Sequence, residues 1–239
     1  MDATYNFEVG GREYHLSSPS PLQIYASRHL LAIYTDAIAF PELGEIKRVV
    51  DVGACIGMMS LAFNAAWPDA EIIALEPHPI TFKHLEANCR GIKNIHPICM
   101  AASDKEETIR LATPSIAQYP KYPMKKRWLN VGMTSRYGLS DNYVAEAKAM
   151  PLDKIVTGPV DFIKIDVEGA ELTVLAGAKE IINKWHPFMM IELSGKNLAL
   201  TGKSVTNLLA DLTRLGYFTG ARIFGDALFC HVDRLPCYS

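Results

Sequence analysis

The chain has 239 residues, with 24 lysines and arginines against 26 aspartates and glutamates, and 49% of its residues are hydrophobic. A net charge of −2 gives no general attraction to nucleic acid or to an anionic membrane, and the hydrophobic content suffices for a core between two helical layers. No apolar run reaches the roughly 18 residues of a membrane span, and the first residues lack the character of a signal peptide.

The five cysteines are scattered, odd in number and not spaced as CxxC. This pattern favours free thiols in a reducing compartment over disulfides or a zinc site. We therefore expect a cytoplasmic protein.

The N-terminal region predicts a hairpin and then a helix. Residues Tyr5 to Leu16 alternate around Gly10-Gly11, which is typical of a hairpin, and an apolar helix is expected from about Leu22 to Phe40. We expect residues 1–47 to form an extension that covers the site of a main domain at 48–239.

From Arg48 onward, short apolar runs alternate with amphipathic stretches, which indicates βαβ units. Near-continuous apolar character is typical of strands covered on both faces. We predict a doubly wound, mostly parallel seven-stranded α/β sheet. Its strands are expected at Arg48 to Val52, Glu71 to Leu75, Ile95 to Met100, Asp161 to Val167, Phe188 to Leu193, Tyr217 to Ile223 and Ala227 to Val232.

Four helices are predicted between these strands. Helices at Gly57, at Pro79 and at Ser204 carry recognisable start signals, and Gly91 and Gly216 are typical stops. Leu172, Leu175 and Ile182 indicate a further, single helix from about Ala170. The stretch from Thr113 to Met150 breaks the alternation, and we expect a lid-like insertion there because such long loops are usually functional or disordered.

The strongest local signal is the loop Asp51-Val52-Gly53-Ala54-Cys55-Ile56-Gly57, between a strand and a helix. Glycines let the backbone approach a ligand closely, and the helix start favours an anionic group. A dinucleotide loop would place its second and third glycines at Cys55 and Met58, and a phosphate-gripping loop needs a lysine that is missing. An acid at the end of the first strand, as Asp51 is, instead suits a methyltransferase loop.

Two further segments predict nucleoside contacts. Glu76 ends the second strand before Pro77, where a carboxylate can accept both ribose hydroxyls, although NAD enzymes use an acid in the same place. The small residues Ala102 and Ser103, with Asp104, leave room for a flat adenine after the third strand. Alone this last signal is weak, because Asp104 is also a common turn residue.

Together these segments resemble the FkbM family of methyltransferases. The most specific match is Ile163-Lys164-Ile165-Asp166-Val167-Glu168-Gly169-Ala170-Glu171, and the similarity extends from about Arg48 to Glu192. It implies a class I, Rossmann-like methyltransferase that transfers a methyl group from S-adenosylmethionine, usually to a hydroxyl of a sugar or other natural product. Cys55 stands where the family commonly has asparagine. The candidate cofactor-binding residues are Asp51, Gly53, Cys55, Gly57, Glu76, Pro77, Ala102, Ser103 and Asp104.

Three acids are predicted at the reacting methyl group. Ligands of open α/β sheets lie beyond the carboxyl ends of the strands, where Asp166 and Glu168 follow one strand and Glu192 ends the next. Methyl transfer needs a positioned acceptor that loses a proton, and a carboxylate can take it. Alternatively, Asp166 and Glu192 hold Mg²⁺ or Mn²⁺. For Glu168 alone, an acid at a helix start is an equally good interpretation.

Gly132-Met133-Thr134-Ser135 resembles the family's glycine-serine patch, so Thr134 and Ser135 are candidate contacts to a polar acceptor. We expect an O-methyltransferase for a glycan or small molecule, with no membrane span. The alternative is an RNA or protein methyltransferase with the same cofactor site, although the near-neutral charge argues against RNA. An NAD-dependent oxidoreductase is opposed by the missing glycines, and a non-catalytic binding module by the three acids.

Overall fold

The computed structural model describes residues 3–9, 11–18, 43–112, 135–137, 144–223 and 225–234. The predicted helix at Leu22 to Phe40 lies outside these residues, as do Thr134 and most of the predicted insertion. Among the described helices, none is long and apolar enough to cross a membrane.

The described chain contains twelve strands and seven α-helices. The strands are β1 (Ala3–Val9), β2 (Arg12–Ser18), β3 (Arg48–Val52), β4 (Glu71–Leu75), β5 (Ile95–Ile98), β6 (Ala101–Ser103), β7 (Glu107–Ala112), β8 (Val144–Pro151), β9 (Phe162–Ile165), β10 (Phe188–Glu192), β11 (Tyr217–Ile223) and β12 (Asp226–His231). The helices are α1 (Met58–Ala66), α2 (Pro79–Asn88), α3 (Leu152–Ile155), α4 (Glu171–Ala176), α5 (Lys179–Trp185), α6 (Gly195–Ala199) and α7 (Val205–Arg214).

Within the described residues, seven strands form the central sheet in the order β11-β12-β10-β9-β3-β4-β5. Strands β10, β9, β3, β4 and β5 pair in parallel, while β12 runs antiparallel between β10 and β11. The fold is therefore α/β with a mostly parallel sheet, as predicted. Because β3 and β9 are parallel neighbours, the carboxyl ends of these two strands lie side by side.

Both faces of the sheet are buried. Val49 and Phe162 belong to a core with α1 and α2, whereas Val50 and Ile163, one residue further along the same strands, belong to a core with α4, α5 and α7. This two-sided burial explains why the strand segments are continuously apolar rather than alternating.

The predicted single helix from Ala170 is wrong. It is divided into α4 and α5 near Gly177, which lies against the backbone carbonyl of Ser103. The Asp153 carboxylate accepts hydrogen bonds from Glu180 N and Ile181 N, both at 3.0 Å. A side chain 27 residues away in sequence therefore caps α5, which local helical spacing does not reveal.

A small three-stranded sheet was also missed. Strand β8 pairs with β6 and β7, so residues 144–150, predicted as the end of the irregular stretch, form a strand. The third strand of the main sheet ends at Ile98, and residues 101–103 belong to the small sheet. Buried Ala145, Ala147 and Ala149 alternate with exposed residues, but alanines give a weak hydrophobic pattern.

The predicted N-terminal hairpin is present as β1 and β2, with Val9 opposite Arg12. It packs on the helices of the main domain. Tyr14 Oη donates to Asn64 Oδ1 at 3.0 Å, and Ser17 N donates to Asn88 Oδ1 at 2.8 Å. That the whole of residues 1–47 covers the site stays a prediction, because residues 19–42 lie outside the described part.

Candidate active site

The glycine loop, residues 53–57, connects β3 to α1. Gly53 N and Ala54 N both donate to the carbonyl oxygen of Leu75, at 3.0 and 2.9 Å. Gly53 has a φ of 82°, and a Cβ at this position would lie 1.9 Å from the backbone oxygen of Asp166. A glycine is therefore required here by the neighbouring strand end as well as by the turn.

Asp51 anchors the floor of this loop from a fully buried position. Its Oδ2 accepts a hydrogen bond from Ser60 Oγ at 2.6 Å, while Oδ1 is buried with no hydrogen-bond partner in the described structure. Burial raises the pKa of this carboxyl, and the nearby Lys164 ammonium opposes the rise. A buried oxygen without a donor fits a ligand that brings an ammonium group.

Glu76 ties the glycine loop to the end of β4. Its Oε2 accepts from Cys55 N at 3.0 Å and its Oε1 from His78 N at 2.8 Å. Burial raises the pKa of Glu76 to about 7, although these two hydrogen bonds act in the opposite direction. Each carboxylate oxygen retains a second lone pair, so the side chain can hold the loop and still accept from ribose hydroxyls.

Cys99 is a neighbour of Glu76 that sequence reasoning missed. It is the first residue after β5. Burial raises the pKa of its thiol, and the nearby Glu76 carboxylate raises it further. The end of the third strand therefore approaches the predicted ribose site through Cys99, four residues before the predicted Ser103.

Ala102 and Ser103 lie buried in β6, part of the small sheet, and Asp104 is exposed. Ser103 Oγ donates to Glu107 Oε1 at 3.2 Å, and Asp104 lines a groove of about 600 Å³ together with Gly169. Among the described hydrogen bonds, none joins these three residues to the glycine loop or to Glu76. Their contact with an adenine stays a prediction.

The acid turn, residues 166–169, follows β9 beside the glycine loop. Asp166 N donates to the carbonyl oxygen of Val52 at 3.1 Å, and Glu168 and Gly169 have φ values of 53° and 106°. These positive φ values turn the chain back over the strand end. The predicted cofactor loop and the predicted catalytic block are therefore directly adjacent.

Lys164 is the only lysine or arginine that is buried among the described residues. Its Nζ lies 3.0 Å from Asp166 Oδ2. Burial alone would lower the pKa of this ammonium, but the carboxylates of Asp166, Asp51 and Asp226 hold it above the usual value. The sequence does not indicate a role for Lys164, because nothing in it shows that the side chain lies near three acids.

Glu168 and Glu192 lie at the ends of two neighbouring strands, and both contact the side-chain amide of Asn197. Asn197 Nδ2 lies 2.6 Å from Glu168 Oε2 and 3.4 Å from Glu192 Oε2. Burial and then the negative charge of Asp166 raise the pKa of Glu168 to about 8 and that of Glu192 to about 7. Both carboxyl groups therefore exchange protons near neutral pH, a property of groups that transfer protons in catalysis.

Two further side chains shape the acid turn. Buried Glu171 accepts from Gly169 N at 3.0 Å through Oε1, and its Oε2 is buried without a partner in the described structure. Ser135 Oγ donates to the backbone oxygen of Glu168 at 2.8 Å. Ser135, a predicted acceptor contact, thus lies at the acid turn and supports it.

The predicted metal ligands have other partners, Lys164 for Asp166 and Asn197 for Glu192. Among the described residues, the group of at least three potential ligands within 4.8 Å is instead His186, His231 and Asp233. Glu192 pairs with Asp226 at one end of β12, and His231 lies at the other end of that strand. This group is therefore at the opposite end of the strands from Glu192. A metal at Asp166 and Glu192 stays a prediction.

A methyltransferase FkbM domain matches residues 51–218, which include the glycine loop, Glu76, the acid turn and Glu192. The chain belongs to the FkbM methyltransferase family. The central sheet places the matched segments of this domain around one edge, in agreement with the resemblance of the sequence motifs.

Two relatives are similar to parts of this chain. It is 28% identical over 220 residues to the AMB antimetabolite synthetase AmbE of Pseudomonas aeruginosa, covering 80% of this chain and 10% of that protein. It is 26% identical over 178 residues to the methyltransferase sdnD of Sordaria araneosa, covering 58% of this chain and 66% of that one. The chain therefore spans less than two thirds of either relative.

Two solved structures share the fold. Methyltransferase FkbM from Methylobacillus flagellatus has a TM-score of 0.52 at 18% identity, covering 78% of this chain and 44% of that chain. Aeropyrum pernix fibrillarin, in complex with natively bound S-adenosyl-L-methionine, has a TM-score of 0.51 at 16% identity, covering 95% and 80%. The fold is that of class I methyltransferases.

Proposed function

We propose that this protein is an S-adenosylmethionine-dependent O-methyltransferase that acts on a hydroxyl of a sugar, a glycan or a related small natural product. The observation that supports this most strongly is the convergence of Asp166, Glu168 and Glu192 beside the glycine loop. The pKa values of Glu168 and Glu192, about 8 and about 7, match those of a general base that works near neutral pH.

The residues of the glycine loop fit the cofactor. The free Oδ1 of Asp51 would accept from its amino group, and Glu76 would accept from its ribose hydroxyls. Gly53, Cys55 and Gly57 would bring the backbone close to its methionine end, and Pro77 would line the ribose side. When bound, S-adenosylmethionine supplies an electrophilic methyl group on a sulfonium.

At the acid turn, each carboxylate would have a separate role in methyl transfer to the acceptor. Glu168 would accept the hydroxyl hydrogen and take the proton as the acceptor oxygen reacts. Asp166, paired with Lys164 at 3.0 Å, would place a carboxylate near the sulfonium of the methyl donor. Glu192 would orient the acceptor through a second hydrogen bond, and Thr134 and Ser135 would contact its polar groups.

A neutral acceptor with several hydroxyls suits this site. Carboxylates accept hydrogen bonds and repel anions, so a polyol gains contacts where a phosphorylated acceptor is disfavoured. A relative named as an antimetabolite synthetase supports a small natural product as the acceptor class. An RNA or protein acceptor is the alternative, and the net charge of −2 opposes RNA.

Binding of the cofactor product can be tested before any acceptor is known. Calorimetry with S-adenosylhomocysteine should show binding, and equal concentrations of NAD should show none. Methyl transfer from labelled S-adenosylmethionine should then be measured against panels of sugars, a folded RNA and peptides, with Glu168→Gln as the inactive control. Failure to bind S-adenosylhomocysteine would refute the cofactor, and labelling confined to RNA or peptide would refute the acceptor class.

A further inference from the structure

The two carboxylates at the strand ends are joined by a residue from a third element. Asn197 belongs to α6, which follows β10, and its Nδ2 reaches Glu168 on the acid turn and Glu192 at the end of β10. We propose that Asn197 is a positioning residue for methyl transfer, whose amide holds the base and its neighbouring carboxylate in a fixed arrangement. This inference rests on the function proposed above.

An amide suits this position because of its donors. In the ionised state in which a base acts, neither carboxylate has a hydrogen to donate to the other, but one NH₂ group offers a hydrogen to each. A neutral amide also aligns a base without neutralising it. The contrast is Asp166, whose partner is not an amide but the ammonium of Lys164.

The backbone of Asn197 is fixed on both sides. Ser194 caps α6, its Oγ accepting from Asn197 N at 3.3 Å, and the following Leu198 is fully buried. On the other side Asn197 O lies against Gly169, where a Cβ would come within 2.6 Å. The amide therefore keeps a constant position relative to the acid turn, as a positioning group requires.

The surrounding charges make such a group necessary. Asp166 and Glu171 add negative charge near both Glu168 and Glu192, and Asp226 adds more near Glu192. Within the described part of the chain, Lys164 is the buried cation near this group, and its Nζ donates to Asp166. Without the amide, the two side chains would be expected to separate whenever both are ionised, and Glu168 would lose the orientation that brings it to the acceptor.

The decisive variant is Asn197→Asp, which keeps the shape of the side chain but replaces the neutral NH₂ donor with a carboxylate oxygen. Turnover should fall by about 10-fold to 100-fold, the range expected for losing a hydrogen bond to a charged group. Affinity for S-adenosylhomocysteine should stay within about twofold, so the effect lies in kcat and not in cofactor binding. Asn197→Gln, which keeps the NH₂ group, should recover part of the loss, and exposed Lys196→Ala in the same helix should have no effect.

A second measurement needs no acceptor. In nitrogen-15 NMR spectra of the cofactor-free protein, the side-chain NH₂ signals of Asn197, identified by their loss in Asn197→Asp, should shift in Glu168→Gln and not in Glu86→Gln. Unmoved signals, or Asn197→Asp with normal turnover, would overturn the positioning role. Wild-type protein that binds no S-adenosylhomocysteine would instead refute the proposed function, so the two failures are distinguishable.

Discussion

The glycine loop and the acid turn lie side by side at the carboxyl edge of one sheet, and they treat their carboxylates differently. On the cofactor side, Glu76 accepts hydrogen bonds from two backbone N–H groups, and Asp51 is bound to Ser60. On the acceptor side, Glu168 and Glu192 share a single amide among other acids. Glu76 on the cofactor side is therefore held by backbone donors, whereas Glu168 and Glu192 on the acceptor side are held by a side chain.

The difference follows from what each side has to do. A loop that binds a cofactor benefits from a fixed shape, which fixed backbone donors provide. A base must gain and lose a proton, so it cannot be locked in its ionised form by strong donors, and burial with like charges keeps its pKa near neutrality. Predictions for the two sides should therefore separate binding from turnover.

The largest effect is expected at the acid turn. Glu168→Gln removes the proposed base but keeps the size of the side chain, so turnover should fall by about 10²- to 10⁴-fold. Affinity for S-adenosylhomocysteine should change by less than about twofold. Initial rates and calorimetry on the same samples measure both, and near-normal rates would reduce Glu168 to a turn residue.

Gly53→Ala should disturb both sides at once, because the new Cβ would collide with Asp166 O. The positive φ and the overpacking together should lower the free energy of unfolding by about 2–5 kcal/mol. Gly91→Ala is the matched control, since Gly91 also has a positive φ of 86° but open space around it. Urea denaturation should show a clearly smaller loss for Gly91→Ala; equal losses would mean that the close approach of loop and turn is absent.

On the cofactor side, Glu76→Gln should weaken binding of S-adenosylhomocysteine by about 1–3 kcal/mol, because charged hydrogen bonds to the ribose and the loop are lost. Turnover at saturating cofactor should change much less. Calorimetry tests the first expectation, with exposed Glu86→Gln in α2 as the control. Unchanged affinity would remove Glu76 from the ribose site.

The pH dependence should be the most diagnostic effect, because it tests the pKa of the proposed base directly. The pKa of Glu168 is about 8 in the folded protein and about 4.3 in an unfolded chain. Between these values the folded state binds more protons, so the free energy of unfolding should fall as pH rises from about 4 to about 8. Turnover should rise with pH as the base ionises.

Stability and activity should therefore respond to pH in opposite directions. Urea denaturation and initial rates over the same pH series measure the two responses. Glu168→Gln should weaken the pH dependence of stability. A stability curve that is the same in wild type and variant would contradict the raised pKa.

Much of the site was predictable because its residues are local in sequence. The glycine loop and the acid turn are contiguous segments whose glycines, acids and apolar flanks show where strands end, and parallel strands bring those ends to one edge. Asn197 and Lys164 were missed, since their roles depend on contacts across elements. Residues 144–150 were misread because alanine is a small side chain that is depleted in strands, so its alternation with Glu146 and Lys148 gives only a weak strand signal.

By itself, the sequence determined the α/β class, the segments that form most of the central strands and the acids that end them, because apolar periodicity and turn residues are local properties of a chain. Only the tertiary structure decided which carboxylates lie beside a cation and which lie among other acids on a shared amide. Lys164 lies 3.0 Å from Asp166, whereas one amide of Asn197 reaches both Glu168 and Glu192. Asn197 and Glu168 are 29 residues apart in sequence, and electrostatic and hydrogen-bond energies depend on distances in space that the sequence does not state.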